Sequence, residues 1–294
     1  MDVIIISNGL GNQLSQFAFF LNKKRLGKST AFLPFCYDHN GFELEYIFGI
    51  GGSRCLRSKV LYLIFRLMIT ERFGPLGSLL KKMLLQLGVR IVNENFDYSF
   101  KEKYLNPSKG LTFYYGGWHC PYYFIDVDLD IKRILKFPVP TDLLNLEYEF
   151  NIKNSNSVSL HVRRGDYLSD SNKNLFGDIC TDAYFVNAIS YIEKHVVKPH
   201  FFVFSNDLDW AKQNIRAKNI TFISGNSGFQ SWKDMYLMSL CRHNIIANST
   251  FSWWGAWLNQ NHDCIIVCPD RFTATETETE VYPRSWVRIN ATAI

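Results

Sequence analysis

No uncharged apolar run in this 294-residue sequence approaches the ~20 residues a spanning helix needs, which excludes a transmembrane reading. Charged residues make up only 20% and no low-complexity tract dominates, which excludes a disordered chain. The seven cysteines are odd in number and irregular in spacing. They form no C-x-x-C pair, and Cys264 with Cys268 has no histidine at zinc spacing. Free thiols in a reducing compartment are the reading, with neither disulfide framework nor metal site. The start, Met1 to Ser7, is acidic and too short in its apolar run for a signal peptide. It reads as a first strand, and a cytoplasmic protein is expected. The net charge is only +5, with a pI of about 8.7. That suits an anionic small molecule or an anionic membrane surface. Without a recognised module it does not support a nucleic-acid partner.

What is present is enough to bury a core: 47% of residues are hydrophobic and 16% aromatic. The length suggests two domains of roughly 150 residues each. Short apolar strands alternate with helical stretches, the pattern of an α/β fold with parallel sheets. Strands are expected at Val3–Ser7, Thr30–Phe35, Ser157–Val162, Phe201–Ser205, Thr221–Ser224, Ile245–Asn248 and Cys264–Cys268. The Pro-, Asp- and Asn-rich stretch from Val139 to Ser157 is the candidate boundary. It divides two α/β halves, 1–150 and 151–294. Arg54 to Arg90 stands apart, with eight basic residues and one acid, Glu71, among Leu, Ile, Met and Phe. Two readings stay open there: an interfacial helical pair on anionic lipid, or a helical subdomain with a solvated basic face.

Unusual chemistry collects in loops after strands, where ligands of such folds sit. Asn8-Gly9-Leu10-Gly11-Asn12-Gln13 reads as a turn bringing backbone close to a ligand, and Gly11, Asn12 and Gln13 are candidate substrate readers. It is a poor dinucleotide fingerprint, because Leu14 holds the third glycine position. His161-Val162-Arg163-Arg164-Gly165-Asp166-Tyr167 closes an apolar strand with two arginines. A guanidinium meets phosphate at two points through a fixed fork, so an anion site is expected. Asp166 either orients an arginine, pairs with Arg164, or acts as a base. Ser205-Asn206-Asp207 closes the next strand and reads as a helix cap or as a base or ribose contact. Asn248-Ser249-Thr250-Phe251-Ser252 opens a helix with hydroxyls and free N–H groups, a neutral phosphate cradle or a plain cap. Asp234 and His243 lie upstream of it.

HVRRGDY, FSND, DMYLMSLCRHNIIANSTFSWWGAWLN and the opening NGLGNQL together resemble the bacterial α-1,2-fucosyltransferases. The resemblance spans the start and most of Ser157 to Pro269. It implies a GT-B fold, two Rossmann-like lobes with a cleft between them. It implies an inverting galactoside α-1,2-fucosyltransferase of surface polysaccharide or O-antigen synthesis, with GDP-β-L-fucose as donor and an oligosaccharide or lipid-linked glycan as acceptor. No cofactor or metal is implied, in keeping with the lack of a D-x-D motif near the arginine loop. By carry-over, Arg163 meets the β-phosphate, and His161 and Asp166 shape the loop as further catalytic candidates. Arg164, Ser205, Asn248, Ser249, Thr250 and Ser252 belong to the donor site, and Asp207 or Asp234 reads guanine or ribose. The base that deprotonates the acceptor, Asp166 or His161, stays open. A fucosyl transfer of another linkage and a non-catalytic nucleotide-sugar binder are the alternatives. Ser15 and Phe17 stand where the family's opening usually has Phe and Tyr, which bears on acceptor fit. A peripheral position on the inner face of the plasma membrane, through 54–90, is a further expectation.

Overall fold

The computed structural model describes residues 1–27, 29–52, 55–70, 74–165, 170–275 and 278–290. It divides into two compact units, Met1–Lys136 and Phe137–Ile294.

The first unit opens with β1 (Asp2–Ile6), whose five residues are all buried. Its side chains need cover on both faces, which only a parallel sheet with helices on either side supplies. Next come α1 (Leu10–Leu26), β2 (Thr30–Pro34), α2 (Glu43–Phe48), α3 (Leu56–Ile69), α4 (Gly74–Gln86), β3 (Arg90–Asn93), β4 (Thr112–Tyr115) and α5 (Asp128–Ile134). The sheet order is β2-β1-β4-β3, parallel throughout. A buried lysine fastens α1 to this sheet: Lys23 Nζ lies 2.6 Å from Asp2 and donates to the carbonyls of Tyr104 and Asn106, each at 2.9 Å.

The second unit carries α6 (Leu143–Lys153), β5 (Asn156–Val162), α7 (Asp170–Phe176), α8 (Asp182–His195), β6 (Pro199–Ser205) and α9 (Leu208–Asn214). Then follow β7 (Ile220–Phe222), α10 (Trp232–Leu240), β8 (His243–Ile245), α11 (Thr250–Trp257), β9 (Ile266–Pro269) and β10 (Val287–Ile289). The order β10-β9-β8-β5-β6-β7 is again all parallel. The chain winds outward from β5 on one side and returns to wind outward through β8 on the other, a doubly wound, Rossmann-like sheet. Val158, Leu160, Phe201 and Val203 fill its core against α8.

Each half thus holds a parallel sheet with its own core, the pair of Rossmann-like units of the GT-B fold. The stretch expected as a boundary, Val139 to Ser157, contains α6, which packs on α10 within the second unit. Asp142 makes it a helix by accepting the Asn145 N–H at 3.0 Å as N-cap. Three strands escape the sequence reading: β3, β4 and β10.

Candidate active site

In a doubly wound sheet, ligands sit where neighbouring strands send their connections to opposite sides. In the second unit that point lies between β5 and β8. Two of the sequence-derived motifs meet there: the loop leaving β5, and the approach to α11 after β8.

His161 closes β5. It is buried, its Nδ1 has no hydrogen-bond partner among the described residues, and its ring packs 5.9 Å from Phe251 of α11. Loss of water, then the nearby Arg163 charge, pulls its pKa down to about 3. The imidazole is neutral near pH 7, and so weak a base is a poor acceptor for the proton of a sugar hydroxyl. Arg163 is half-buried just past the strand. Arg164 is pinned three ways: its N–H donates to Asn206 Oδ1 at 3.0 Å, its guanidinium lies 4.0 Å above the Trp210 ring, and its Nε stands 3.7 Å from Asp207. A Cβ at Gly165 would stand 2.4 Å from Asn206 Nδ2, so a larger residue would push aside the carboxamide that holds Arg164. Asp166 lies outside the described residues, so the suggested Arg164–Asp166 pair stays open; the partner shown is Asp207.

The loop after β6 is therefore a clamp on the loop after β5. Asp207 caps α9 by accepting the Trp210 N–H at 3.1 Å, and Ser205 Oγ accepts the Asp207 N–H at 2.9 Å. Both residues bear on the site through these internal bonds. Asp207 and Asp209 do form a D-x-D pair at this end, but Asp207 is committed and Asp209 is exposed. Among the described residues no group of His, Cys, Asp or Glu side chains has the makings of a metal site.

At α11, Ser249 is the N-cap, accepting from the Phe251 N–H at 3.4 Å. Ser252 is buried, donates to the Ser249 carbonyl at 3.4 Å and accepts from the Ala247 N–H at 3.3 Å. Asn248 is buried too, donating to the carbonyls of Phe176 and Phe272 and accepting from Cys180. Its carboxamide ties three segments together. Of the expected cradle, Asn248 and Ser252 hold the backbone in shape, while Ser249, Thr250 and the positive end of the helix face the switch point.

Asp234 belongs to a different cluster. It accepts from Asn226 Nδ2 at 2.8 Å, and Asn226 exchanges bonds with Asn145, which also bonds Asp142. Lys233 donates to Asp142 at 2.7 Å and, as the leading cause, lowers the Asp142 pKa. Burial lifts the Asp234 pKa to about 7, opposed by the Asn226 bond. Asn226 follows β7, and Asp234 lies in the first turn of α10, the helix that packs on α11. His243 begins β8, at the amino end of the strand and away from the carboxyl ends where the site lies, and its Nδ1 accepts the Ile265 N–H at 3.1 Å.

In the first unit the switch point lies between β1 and β4. Asn8 takes a left-handed conformation with φ of 64°, and α1 starts at once, so Gly11, Asn12 and Gln13 form its first turn and not the expected open turn. Gln13 is buried and saturated. Its Nε2 donates to the carbonyls of Asn8 and Gly41, each at 2.7 Å, and its Oε1 accepts the Glu43 and Leu44 N–H groups. It is a tie for the loop after β2 with nothing left for a ligand. Gly11 is buried and gives its carbonyl to Ser15 Oγ; Asn12 remains half-buried. Ser15 also bonds His119 Nδ1 at 3.0 Å, so the larger family residue would displace that ring. Phe17 simply packs on Phe20 and Phe32.

The sequence reading missed a polar knot here. Buried Glu94, just past β3, accepts the Gly117 and Trp118 N–H groups at 2.7 and 2.8 Å through one oxygen, and its other oxygen has no partner among the described residues. Burial raises its pKa to about 7 against those two bonds. Gln16 reaches across from α1 to the Gly116 carbonyl at 2.8 Å. No motif around Glu94 signals it in the sequence. Near the end of β2, a cavity of about 420 Å³ is lined by Phe35, Tyr37, Arg66, Ile69 and Thr70.

Two Rossmann-like units, one carrying an arginine loop and a hydroxyl-capped helix at its switch point, define a glycosyltransferase-type architecture. Residues 89–290 match the family described as Glycosyl transferase family 11, and the chain belongs to that family. It is 31% identical to the O-antigen biosynthesis glycosyltransferase WbnK of Escherichia coli, over 97% of this chain and 99% of that one. An α-1,2-colitosyltransferase of Escherichia coli is also 31% identical, over 98% and 99%. The human galactoside α-(1,2)-fucosyltransferase 1 is 32% identical over 46% of this chain and 38% of its own. Among solved structures, Arabidopsis thaliana FUT1 (mutant R284K, in complex with GDP) aligns at 15% identity with a TM-score of 0.49, over 91% of this chain and 70% of that one.

Proposed function

We propose that the protein transfers L-fucose from GDP-β-L-fucose to a galactoside hydroxyl, the 2-OH of a terminal β-galactose, with inversion to an α-1,2 linkage. The setting is surface polysaccharide or O-antigen synthesis at the inner face of the plasma membrane. The observation that carries this reading is the meeting of Arg163, Arg164 and the α11 N-terminus at one switch point. The names of the relatives supply the sugar, the linkage and the pathway.

In the transition state the C1–O bond to phosphate lengthens, the sugar gains oxocarbenium character, and negative charge grows on the β-phosphate. Arg163 meets that charge without having to reorganise, and preorganised charge of this kind is commonly what lowers an enzymatic barrier most. Arg164, held by Asn206 and Trp210, keeps the loop in place. Ser249, Thr250 and the first turn of α11 cradle phosphate. His161, neutral, offers its unpartnered nitrogen to the donor as a hydrogen-bonding group. Asp166 is then the carboxylate of this loop that takes the acceptor's proton. Asp207 or Asp234 reads the guanosine end, and Asn12 with the 420 Å³ cavity serves the acceptor side. No cofactor or metal is part of this proposal.

Arg163→Ala is expected to lower turnover about 10²–10³-fold, the usual loss of one preorganised donor. The assay reads GDP release from GDP-β-L-fucose over a panel of β-galactosides, with linkage by NMR and folding by circular dichroism. Near-normal turnover in a folded variant sinks the assignment. Tight GDP binding by the unaltered protein with no turnover on any acceptor favours the nucleotide-sugar sensor. Activated colitose belongs in the panel, because one near full-length relative is a colitosyltransferase.

A further inference from the structure

Helices α3 and α4 are apolar where nothing among the described residues covers them. In α3, Leu61, Phe65 and Met68 are buried and pack with Val3, Ile5 and Phe113 of the first sheet. The helix is anchored on that side, yet Leu56, Val60 and Leu63 stand 77, 46 and 64% exposed. Their spacing, i, i+4, i+7, places them in one stripe about 180° around the helix from Phe65. The next helix goes further. Gly77 is the buried residue of α4, while Leu76, Leu79, Leu80, Met83 and Leu87 are 41 to 78% exposed. Their spacing, i, i+3, i+4, i+7, i+11, is one continuous apolar face. An ordinary surface helix turns that face inward; here it turns outward.

The charge around these faces is predominantly basic. From 55 to 90 the sequence holds Arg57, Lys59, Arg66, Arg72, Lys81, Lys82 and Arg90 against a single acid, Glu71. On the helical wheel, Arg57 and Lys59 border the α3 stripe on its two sides, while Lys81 and Lys82 stand about 145° and about 115° from the centre of the α4 stripe, with exposed Leu85 between them. At 14 and 13 residues, the two helices are each about 20 Å long, too short to cross a bilayer whose apolar core is about 30 Å thick. No helix among the described residues is long and apolar enough to cross a membrane. Short helices with one leucine face and a lysine–arginine border lie in the plane of an interface, leucines among the acyl chains and cations among the headgroups.

We infer that α3 and α4 form an in-plane docking surface for an anionic lipid bilayer, with the Leu76–Leu79–Leu80–Met83 stripe inserted and Arg57, Lys59, Lys81 and Lys82 reaching the headgroups. The net basic border is what selects a bilayer over a second copy of this chain, whose identical basic border would repel it. The surface also explains the placement of the cavity beside β2. Arg66 and Ile69 of α3 line it, so a glycan on a carrier lipid in the same bilayer arrives next to the helix that holds the protein there. The inference concerns membrane attachment alone and does not depend on which sugar is transferred.

The experiment is flotation of the full chain with vesicles of phosphatidylcholine alone and of phosphatidylcholine with phosphatidylglycerol, at low and at high salt. Binding to the phosphatidylglycerol vesicles is expected at low salt and is expected to fall several-fold at high salt. Leu79→Glu with Met83→Glu should lower the bound fraction at least tenfold, and Lys81→Glu with Lys82→Glu several-fold. Both variants should keep the wild-type rate of GDP release with a soluble β-galactoside, since Leu79, Lys82 and Met83 are exposed, Lys81 is half-buried, and none of the four lines the cavity or belongs to the donor residues. Absence of wild-type flotation on anionic vesicles at low salt overturns the inference. So does equal flotation of the leucine-face variant. A dimer in solution that the Leu79→Glu, Met83→Glu substitutions convert to a monomer, with no flotation, assigns the face to a second copy and also overturns it.

Discussion

Two buried carboxyl groups hold protons more tightly than carboxylates usually do. Glu94 and Asp234 each have a pKa raised to about 7, chiefly by burial. The folded protein therefore keeps a proton that the unfolded chain releases above its ordinary value of about 4. Between about pH 4 and 7 the native state binds more protons, so stability contributed by these groups falls as pH rises through that window. For Glu94 the change is on the order of 3 kcal/mol. Glu94→Gln keeps an oxygen for the Gly117 and Trp118 N–H groups but removes the titration. Thermal melts at pH 5 and 7.5 are expected to show a smaller drop for the variant than for the wild type. Parallel melting curves across that range would show that Glu94 is solvated and ordinary. The same residue shows what sequence reading could not reach. A glutamate in a stretch without motifs carries no mark of being buried; strand pairing that brings β3 beside β4 gives it that environment. Arg163 was legible because two arginines at the end of an apolar strand are costly without an anion.

At the level of elements, strands with apolar runs and helices with caps were readable, and Thr181 caps α8 as expected, accepting the Tyr184 N–H at 3.4 Å. The missed strands had other signals over them. β3 begins at Arg90, the end of the basic segment, and β10 has the burial pattern of an edge strand, with Arg288 exposed. The polar residues that end β5 and β6 and open α11 stood out as a group, but which of them serve as structural ties was not readable. Asn248 and Gln13 look like ligand readers in sequence; only the carbonyls brought to them by distant segments make them ties. Helix packing sets the position of the phosphate cradle. Gly255 of α11 has no room for a side chain, since a Cβ would lie 2.9 Å from the Met238 Cβ of α10. Alanine's better helix propensity, about 1 kcal/mol, is set against overpacking of roughly 1–3 kcal/mol, and the overpacking is the larger. Gly255→Ala is expected to lower stability by about 1 kcal/mol and to weaken GDP binding by displacing α11, as read by denaturant melts and calorimetric titration. Unchanged affinity would separate the helix position from the donor site.

For the whole molecule, each unit has its own sheet and its own core, and the donor chemistry proposed above belongs to the second. GDP at about 100 times its dissociation constant adds about 2.7 kcal/mol to whatever unfolding releases it. Hydrogen exchange is therefore expected to slow in β5, β6 and β8 on adding GDP, and to stay unchanged in β1 and β4. Protection confined to β1 and β4 would move the donor site to the first unit.

The place of β5 in its sheet has a consequence for synthesis. It is the first strand of its unit and a central one. As the chain emerges, β6 and then β7 can pair on one side while the other edge of β5 waits for β8, roughly eighty residues later in the sequence. The arginine loop and its Asn206 clamp thus belong to the half-sheet that forms early, and α11 to the half that comes late. Until β8 arrives, β5 is an unpaired apolar edge open to the wrong partner. The proposed grip on phosphate and the vulnerable moment in folding are set by the same strand.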